Sequence, residues 1–167
     1  MRRSLGDAIG FAPGDRASIL VMSMTPSEFP APDAAEAWTR SYPPEAFAFV
    51  SDGLGHTASL VHGDAPPYVP ITDEGRHVDG RQLCEGLRDF AIRRFGLLAP
   101  AVLGHWNIHR TDDFGRIVFA MIADDKLKKT DEDRLEDFFG VYEFATAFSD
   151  RAITEAITAI RDEERDG

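Results

Sequence analysis

The stretch from Thr111 to Ile122 constrains the fold of this chain more than any other. Its apolar residues recur at intervals of three and four positions: Phe114, Ile117, Val118, Met121 and Ile122. This spacing places them on one face of an amphipathic helix. Thr111 has the hydroxyl of an N-cap, and Asp112 and Asp113 place negative charge in the first turn, where the helix dipole favours it. The pattern therefore predicts a helix with one face buried in a core.

Prolines and capping residues predict two helices before this stretch. Pro43 and Pro44 suit the first positions of a helix that follows Tyr42. Asp79 is placed to cap another helix, which ends before Gly96. We expect both helices to pack on the Thr111 helix.

The apolar residues of these two helices predict their inward faces. In the first helix they are Phe47, Val50, Leu54 and Val61, and in the second they are Leu83, Leu87, Phe90 and Ala91. Gly53 and Gly55 are expected to weaken the later turns of the first helix, because glycine is a poor helix former.

Two shorter patterns extend the helical prediction towards the C-terminus. Residues 97–106 predict a fourth helix, with Pro100 near its start. A terminal helix begins at Ser149 or Asp150, and its apolar seam consists of Ile153, Ile157 and Ile160.

The residues around the Thr111 helix follow the order of a winged helix. Residues 107–110 join it closely to the fourth helix, as in a helix-turn-helix. Beyond it, Leu127–Lys129 and Val141–Phe144 are predicted as antiparallel strands on either side of an acidic excursion. The expected fold class is mainly α (α+β): a single helical domain with a winged-helix-like centre and a small two-stranded β element.

The chain divides into three parts by composition. Residues 1–40 are rich in glycine, proline and alanine and are predicted to be an N-terminal arm, with one strand-like piece at Ala17–Met24. Residues 41–148 carry the helical, winged-helix-like domain. Residues 149–167 form the terminal helix and an acidic tail. A length of 167 residues fits one domain with a core of its own.

Charge disfavours several classes of partner. The chain has 29 acidic residues against 18 lysines and arginines, a formal net charge of −11. Such a charge repels phosphate backbones and anionic membrane surfaces. Nucleic acid and membranes are therefore unlikely partners, and acidity favours a protein partner of basic character.

The cysteine content and the hydropathy favour the cytoplasm. Cys84 is the only cysteine, so the chain cannot form an internal disulfide. No apolar run approaches the roughly 20 residues that span a bilayer. The first residues lack the apolar run of a signal peptide.

Four blocks of sequence carry a resemblance to a known family. They are YPPEAFAFV, HVDGRQLCEGLRDFAIRRFG, VLGHWNIHRTDDFGRIVFAMI and KKTDEDRLEDFFGVYEF, in this order. Together they resemble the Minf-type family of uncharacterised bacterial proteins, over roughly residues 42–148. The resemblance implies no activity, cofactor or catalytic residue. It does include five polar positions as candidates for an interaction or structural role: Arg88, Asp113, Asp133, Asp137 and Tyr142.

The spacing of two histidines indicates a candidate metal site. His105 and His109 are four residues apart, the spacing that places two imidazoles on one face of a helix. The alternative is that both are surface or capping residues beside a core Trp106. No motif for a cofactor, and no set of nucleophile, base and orienting residue, is found in the sequence.

Three functions stay open on these observations. The first is a cytoplasmic protein-protein interaction or adaptor domain without catalytic activity. The second is a winged-helix-type DNA-binding regulator, and the third is an enzyme with a polar site around Arg88, Asp113, Asp133 and Asp137. The second is disfavoured because the outward face predicted for the Thr111 helix has a net negative charge: Asp112, Asp113, Arg116, Ala120 and Asp124.

Overall fold

A computed structural model describes residues 31–63, 77–127 and 133–167, and every regular element in these ranges is helical. The helices are α1 (Pro32–Ser41), α2 (Pro44–His62), α3 (Gly80–Phe95), α4 (Ala99–His105), α5 (Thr111–Ala123), α6 (Phe144–Ala147) and α7 (Asp150–Asp166). Two short 3-10 turns are present at Gly96–Leu98 and Leu135–Phe138.

The predicted two-stranded β element is wrong, and with it the α+β class and the winged-helix-like centre. Residues 141–143 pair with no strand in the described ranges, and α6 begins at Phe144. Of the other predicted strand, Leu127 lies in a bend and residues 128–129 fall outside the described residues.

Aromatic packing explains why the second strand pattern does not form a strand. The rings of Tyr142, Phe144 and Phe148 pack on one another with centroids 5.0 to 6.2 Å apart. Phe144 also contacts Phe114 of α5, at a centroid distance of 5.9 Å. The alternating apolar residues therefore attach this segment to the helical core through their side chains, and not through a backbone ladder.

Helix α5 is confirmed as the centre of the fold, but it is buried on nearly all sides. The predicted face is largely right, with Phe114 and Ile117 fully buried. Phe119 and Ala120 on the other faces are also fully buried. Helices α1, α2 and α3 and the 3-10 turn at Leu135–Phe138 all pack against α5. The outward face predicted for this helix does not exist as such, since Asp113 and Ala120 lie in the interior.

Helix α1 covers part of α5 and comes from the end of the predicted N-terminal arm. Pro32 stands at its start, and Ala35 is buried. Residues 1–30, with the predicted strand at Ala17–Met24, lie outside the described residues.

Helices α2 and α3 are confirmed and pack closely, because glycines lie at their contact. A side chain at Gly53 would collide with Leu87, and one at Gly86 would collide with Thr57. Gly53, expected to weaken α2, is thus a point of close contact with α3. The buried face of α2 is rotated from the predicted one: it consists of Ala46, Phe49, Val50, Gly53, Thr57 and Ala58.

The predicted ends of α3 and the predicted start of α7 are confirmed, whereas the predicted acidic tail is part of α7, which continues to Asp166. The Asp79 carboxylate accepts the backbone N–H of Gln82 at 2.8 Å, and the Gln82 side chain accepts the Asp79 N–H at 3.1 Å. Gly96 follows α3 with a φ of 54°, in the left-handed region that glycine adopts readily. The Ser149 hydroxyl caps α7. Residues 97–106 contain α4, which is shorter than predicted.

The close contact of α2 and α3 predicts different stabilities for two glycine-to-alanine variants. Gly86→Ala introduces a methyl group against Thr57, whose hydroxyl is held by a 2.7 Å bond to the Gly53 carbonyl. Gly55→Ala is the matched control, because no atom lies within 4 Å of its new methyl group. Both changes gain the same helix propensity. Overpacking should therefore make Gly86→Ala less stable than Gly55→Ala by about 1–3 kcal/mol in urea unfolding. Equal stability of the two variants would show that α2 and α3 can separate freely.

Candidate functional site

A buried carboxylate joins the start of α5 to the α1–α2 junction. Asp113 is 5% exposed, and its Oδ1 accepts the Tyr42 hydroxyl at 2.7 Å and the Arg116 guanidinium at 2.9 Å. Its Oδ2 accepts the backbone N–H groups of His109 at 2.9 Å and Arg110 at 3.1 Å. Four donors occupy both oxygens, so this carboxylate is a structural group.

The N-cap prediction for Thr111 is wrong in detail, and Asp113 is the reason. Thr111 is already the first residue of α5, and the Asp113 carboxylate binds the free N–H groups before it. The Thr111 hydroxyl instead accepts the backbone N–H of Val141 at 3.2 Å. It therefore ties the segment after the second 3-10 turn to α5.

Phe138 holds the 3-10 turn at Leu135–Phe138 in place between two helices. Its side chain is buried and lies against Gly80 at the start of α3 and Gly115 in α5. A Cβ atom at either glycine would approach the Phe138 side chain to 2.8–2.9 Å, closer than real contacts allow. The Asp137 carboxylate accepts the Arg134 N–H at 3.2 Å and helps to close the turn. The turn is thus fixed at its buried end.

Phe139 follows this anchor directly and faces the other way. Its side chain is 47% exposed and borders a groove of about 760 Å³. The groove lies between the start of α3 and the 3-10 turn. We call it the Phe139 groove, and it is lined by His77, Asp79, Arg81, Gln82, Asp133, Glu136, Asp137, Phe139, Gly140 and Val141.

Charged groups dominate the lining of the Phe139 groove. Of the residues that the structure describes there, four carboxylates face one guanidinium. His77 Nε2 lies 3.1 Å from an oxygen of Asp133, and the His77 carbonyl lies 3.0 Å from His62 Nε2. Arg81 lies 3.5 Å from Glu85, outside the groove lining. The arrangement is suited to binding a cationic group next to an aromatic ring.

A second groove, of about 740 Å³, contains the other polar candidates. Arg88 and Tyr142 line it together with Glu85, Glu143 and Thr146. The Arg88 Nε–H donates to the Ala147 carbonyl at 3.0 Å, and the Tyr142 hydroxyl donates to the Cys84 carbonyl at 2.8 Å. Both side chains therefore connect α3 to the α6 region.

The five polar candidates from the sequence are thus not brought to one place. Asp133 and Asp137 line the Phe139 groove, Arg88 and Tyr142 line the second groove, and Asp113 lines neither. The proposed enzyme site would need four of them in one cavity. Sequence reasoning missed Phe139. The available signal was the pair Phe138–Phe139 in a short turn, where only one of two successive side chains can point inward.

The two candidate metal ligands lie on different elements. His105 ends α4, whereas His109 lies beyond a turn in which Asn107 has a φ of 62°. Both side chains are exposed. Within the described ranges, no group of three or more histidine, cysteine, aspartate or glutamate side chains could hold a metal ion.

Comparison of the chain with protein-family models, with curated proteins and with solved structures finds no match. In the part of the chain that the structure describes, no helix has the length and apolar character needed to cross a bilayer.

The bonding of Asp113 predicts a large difference between two neighbouring substitutions. In Asp113→Asn, an amide nitrogen replaces one carboxylate oxygen and cannot accept a hydrogen bond. The donors that this oxygen bound are then unsatisfied, and each should lower the free energy of unfolding by about 1–3 kcal/mol. Asp112→Asn is the control, because among the described residues Asp112 accepts a single bond, from the Gly140 N–H at 3.3 Å. Urea unfolding should show a clear loss for Asp113→Asn and little change for Asp112→Asn. Similar values would mean that the buried carboxylate is not needed.

The buried Tyr42 and Cys84 and the partly buried Tyr142 predict a loss of stability at alkaline pH. Burial raises the pKa of Tyr42, with a further contribution from the bound Asp113 carboxylate, and burial also raises the pKa of Tyr142 and of the Cys84 thiol. The unfolded chain releases these protons near the ordinary pKa values of 9.0 for cysteine and 10.0 for tyrosine. The folded chain keeps them, so rising pH favours unfolding.

The free energy of unfolding should therefore be constant with respect to these groups below about pH 9 and fall steadily above it. Tyr42→Phe should reduce the slope of that fall. Tyrosinate absorbance and circular dichroism, followed together, provide the measurement. Ionisation of Tyr42 and Tyr142 at ordinary pH in a chain that keeps its native dichroism would contradict the prediction.

Proposed function

We propose that this chain is a protein-interaction module, without chemistry of its own, that binds a partner protein at the Phe139 groove. Phe139 carries the proposal. It is a large aromatic side chain, about half exposed, on a turn that Phe138 fixes to the core. Aromatic residues that stand ready in a fixed position provide much of the binding energy of protein interfaces.

Several observations favour this function over the two alternatives. A winged-helix regulator needs a two-stranded wing and a recognition helix with an open face. The described residues contain no strand, and α5 is covered by α1, α2 and α3. An enzyme would need the polar candidates in one cavity, and they line separate grooves. The net charge of −11 supports a basic protein partner over nucleic acid.

The compartment and the family belong to the same proposal. A cytoplasmic location is supported by the single cysteine, Cys84, which is free and buried. Membership of the Minf-type family is supported by the order of the four sequence blocks. Neither the compartment nor the family identifies the partner protein.

Affinity capture from a lysate of the source cells tests the proposed function. The tagged chain is compared with Phe139→Ser, before and after nuclease treatment. Leu98→Ser is the matched control, because Leu98 is 66% exposed but lies outside the groove. Both substitutions replace an exposed apolar side chain, so both variants should fold normally.

A stoichiometric protein should be captured by the native chain and by Leu98→Ser, should survive nuclease, and should be lost with Phe139→Ser. Recovery of nucleic acid, or of proteins that nuclease releases, would contradict an interaction module of this kind. Capture that does not depend on Phe139 would move the binding surface elsewhere and overturn the assignment to this groove.

A further inference from the structure

We infer that the partner segment that fits the Phe139 groove is a positively charged peptide with one apolar side chain between its basic residues. The inference rests on the proposed function and specifies the chemistry of the partner. It follows from how the carboxylates of the groove are placed around the Phe139 ring.

The carboxylates are held in position before any partner arrives. Asp79 is tied to the Gln82 N–H as the cap of α3, and Asp137 is tied to the Arg134 N–H. A carboxylate can accept about four hydrogen bonds, so each retains capacity for a second donor. A lysine or arginine that binds here meets charges that need little reorganisation.

Glu136 is the carboxylate that is most open to a partner. It is exposed, and its side chain makes no hydrogen bond or ion pair with any residue that the structure describes. It immediately follows Leu135 in the anchored 3-10 turn, so its backbone is fixed although its side chain is open. An incoming cation would find Glu136 without displacing an internal pair.

Among the described residues that line the groove, no positive charge of similar size compensates the carboxylates. Arg81 is the one guanidinium that the structure describes in this lining, and it lies 3.5 Å from Glu85. His77 contacts Asp133, which leaves the carboxylates of Asp79, Glu136 and Asp137 facing the opening. The groove therefore attracts cations and repels phosphate groups and acidic peptides.

The exposed ring of Phe139 indicates that the partner has an apolar side chain as well as basic ones. A purely ionic partner would leave its ring half exposed, whereas an apolar side chain would cover it. The aliphatic stems of lysine and arginine also pack on aromatic rings, and their charged heads can lie over the ring face. An apolar residue with basic neighbours thus satisfies both features of the groove. A volume of about 760 Å³ lies in the range of pockets that hold such groups.

Binding of short synthetic peptides tests the inference. The probe is the acetylated and amidated peptide Gly-Lys-Lys-Leu-Lys-Lys-Gly, titrated into the full chain by isothermal calorimetry and by amide chemical shifts. One comparison peptide has glutamate at every lysine position, and a second has serine in place of leucine. The first removes the charge complementarity, and the second removes the apolar contact.

Two pairs of variants locate the binding. Phe139→Ser should weaken binding of the lysine-leucine peptide by about tenfold, and Leu98→Ser should leave it unchanged. Glu136→Lys should also weaken it by about tenfold, whereas Glu164→Lys in the tail of α7 alters the net charge equally, far along the chain, and should have little effect. Added salt should weaken binding of the native chain.

The inference is supported if the lysine-leucine peptide binds saturably, shifts the amides of residues 136–141, and binds more tightly than both comparison peptides. It is overturned if the glutamate peptide binds equally well, or if the serine peptide does. It is also overturned if Glu164→Lys weakens binding as much as Glu136→Lys, because overall charge would then be the cause. If cell lysate yields a partner dependent on Phe139 while these peptides fail, the proposed function stands and the basic partner is excluded.

Discussion

The burial of one carboxylate, Asp113, is the constraint on which the rest of the structure depends. Its two oxygens bind the Tyr42 hydroxyl from the α1–α2 junction, the Arg116 side chain and two backbone N–H groups before α5. A buried carboxylate is tolerated only when its oxygens are satisfied, so these donors must converge in the folded chain. The start of α5 is thereby fixed relative to α1 and α2. Gly115, two residues further on, packs against Phe138. That contact positions the turn that borders the Phe139 groove.

The sequence predicted the helices well because their signals are local. Apolar spacing, Asp79 as a cap and Gly96 as a terminator depend on neighbours within a few residues, and these predictions are confirmed. The faces of the helices were predicted less well, since the burial of Ala120 or Gly53 depends on which helix packs against it. No local pattern shows that α1 covers α5, or that α3 approaches α2 at Gly53.

The wrong β prediction and the missed groove have one cause in common. Alternating apolar residues at 141–144 fit a strand, but they equally fit a segment that inserts aromatic rings between helices. The acidic excursion before it leads into the buried Phe138, which no local pattern predicts. Both features arise from contacts between residues distant along the chain. Asp133 and Asp137 were found as polar positions, but their relation to Phe139 needed the fold.

Because Phe138 points inward and Phe139 outward, the two positions differ in how readily they tolerate substitution. Position 138 is enclosed by Gly80 and Gly115, so a change there must be matched by changes in two helices. Position 139 borders solvent, so its side chain can be replaced at little cost to folding. Selection could therefore alter the surface chemistry of this turn by single substitutions while the scaffold beneath it stays the same. An insertion or deletion within the turn would instead exchange the buried and exposed positions, and would disturb the core and the surface together.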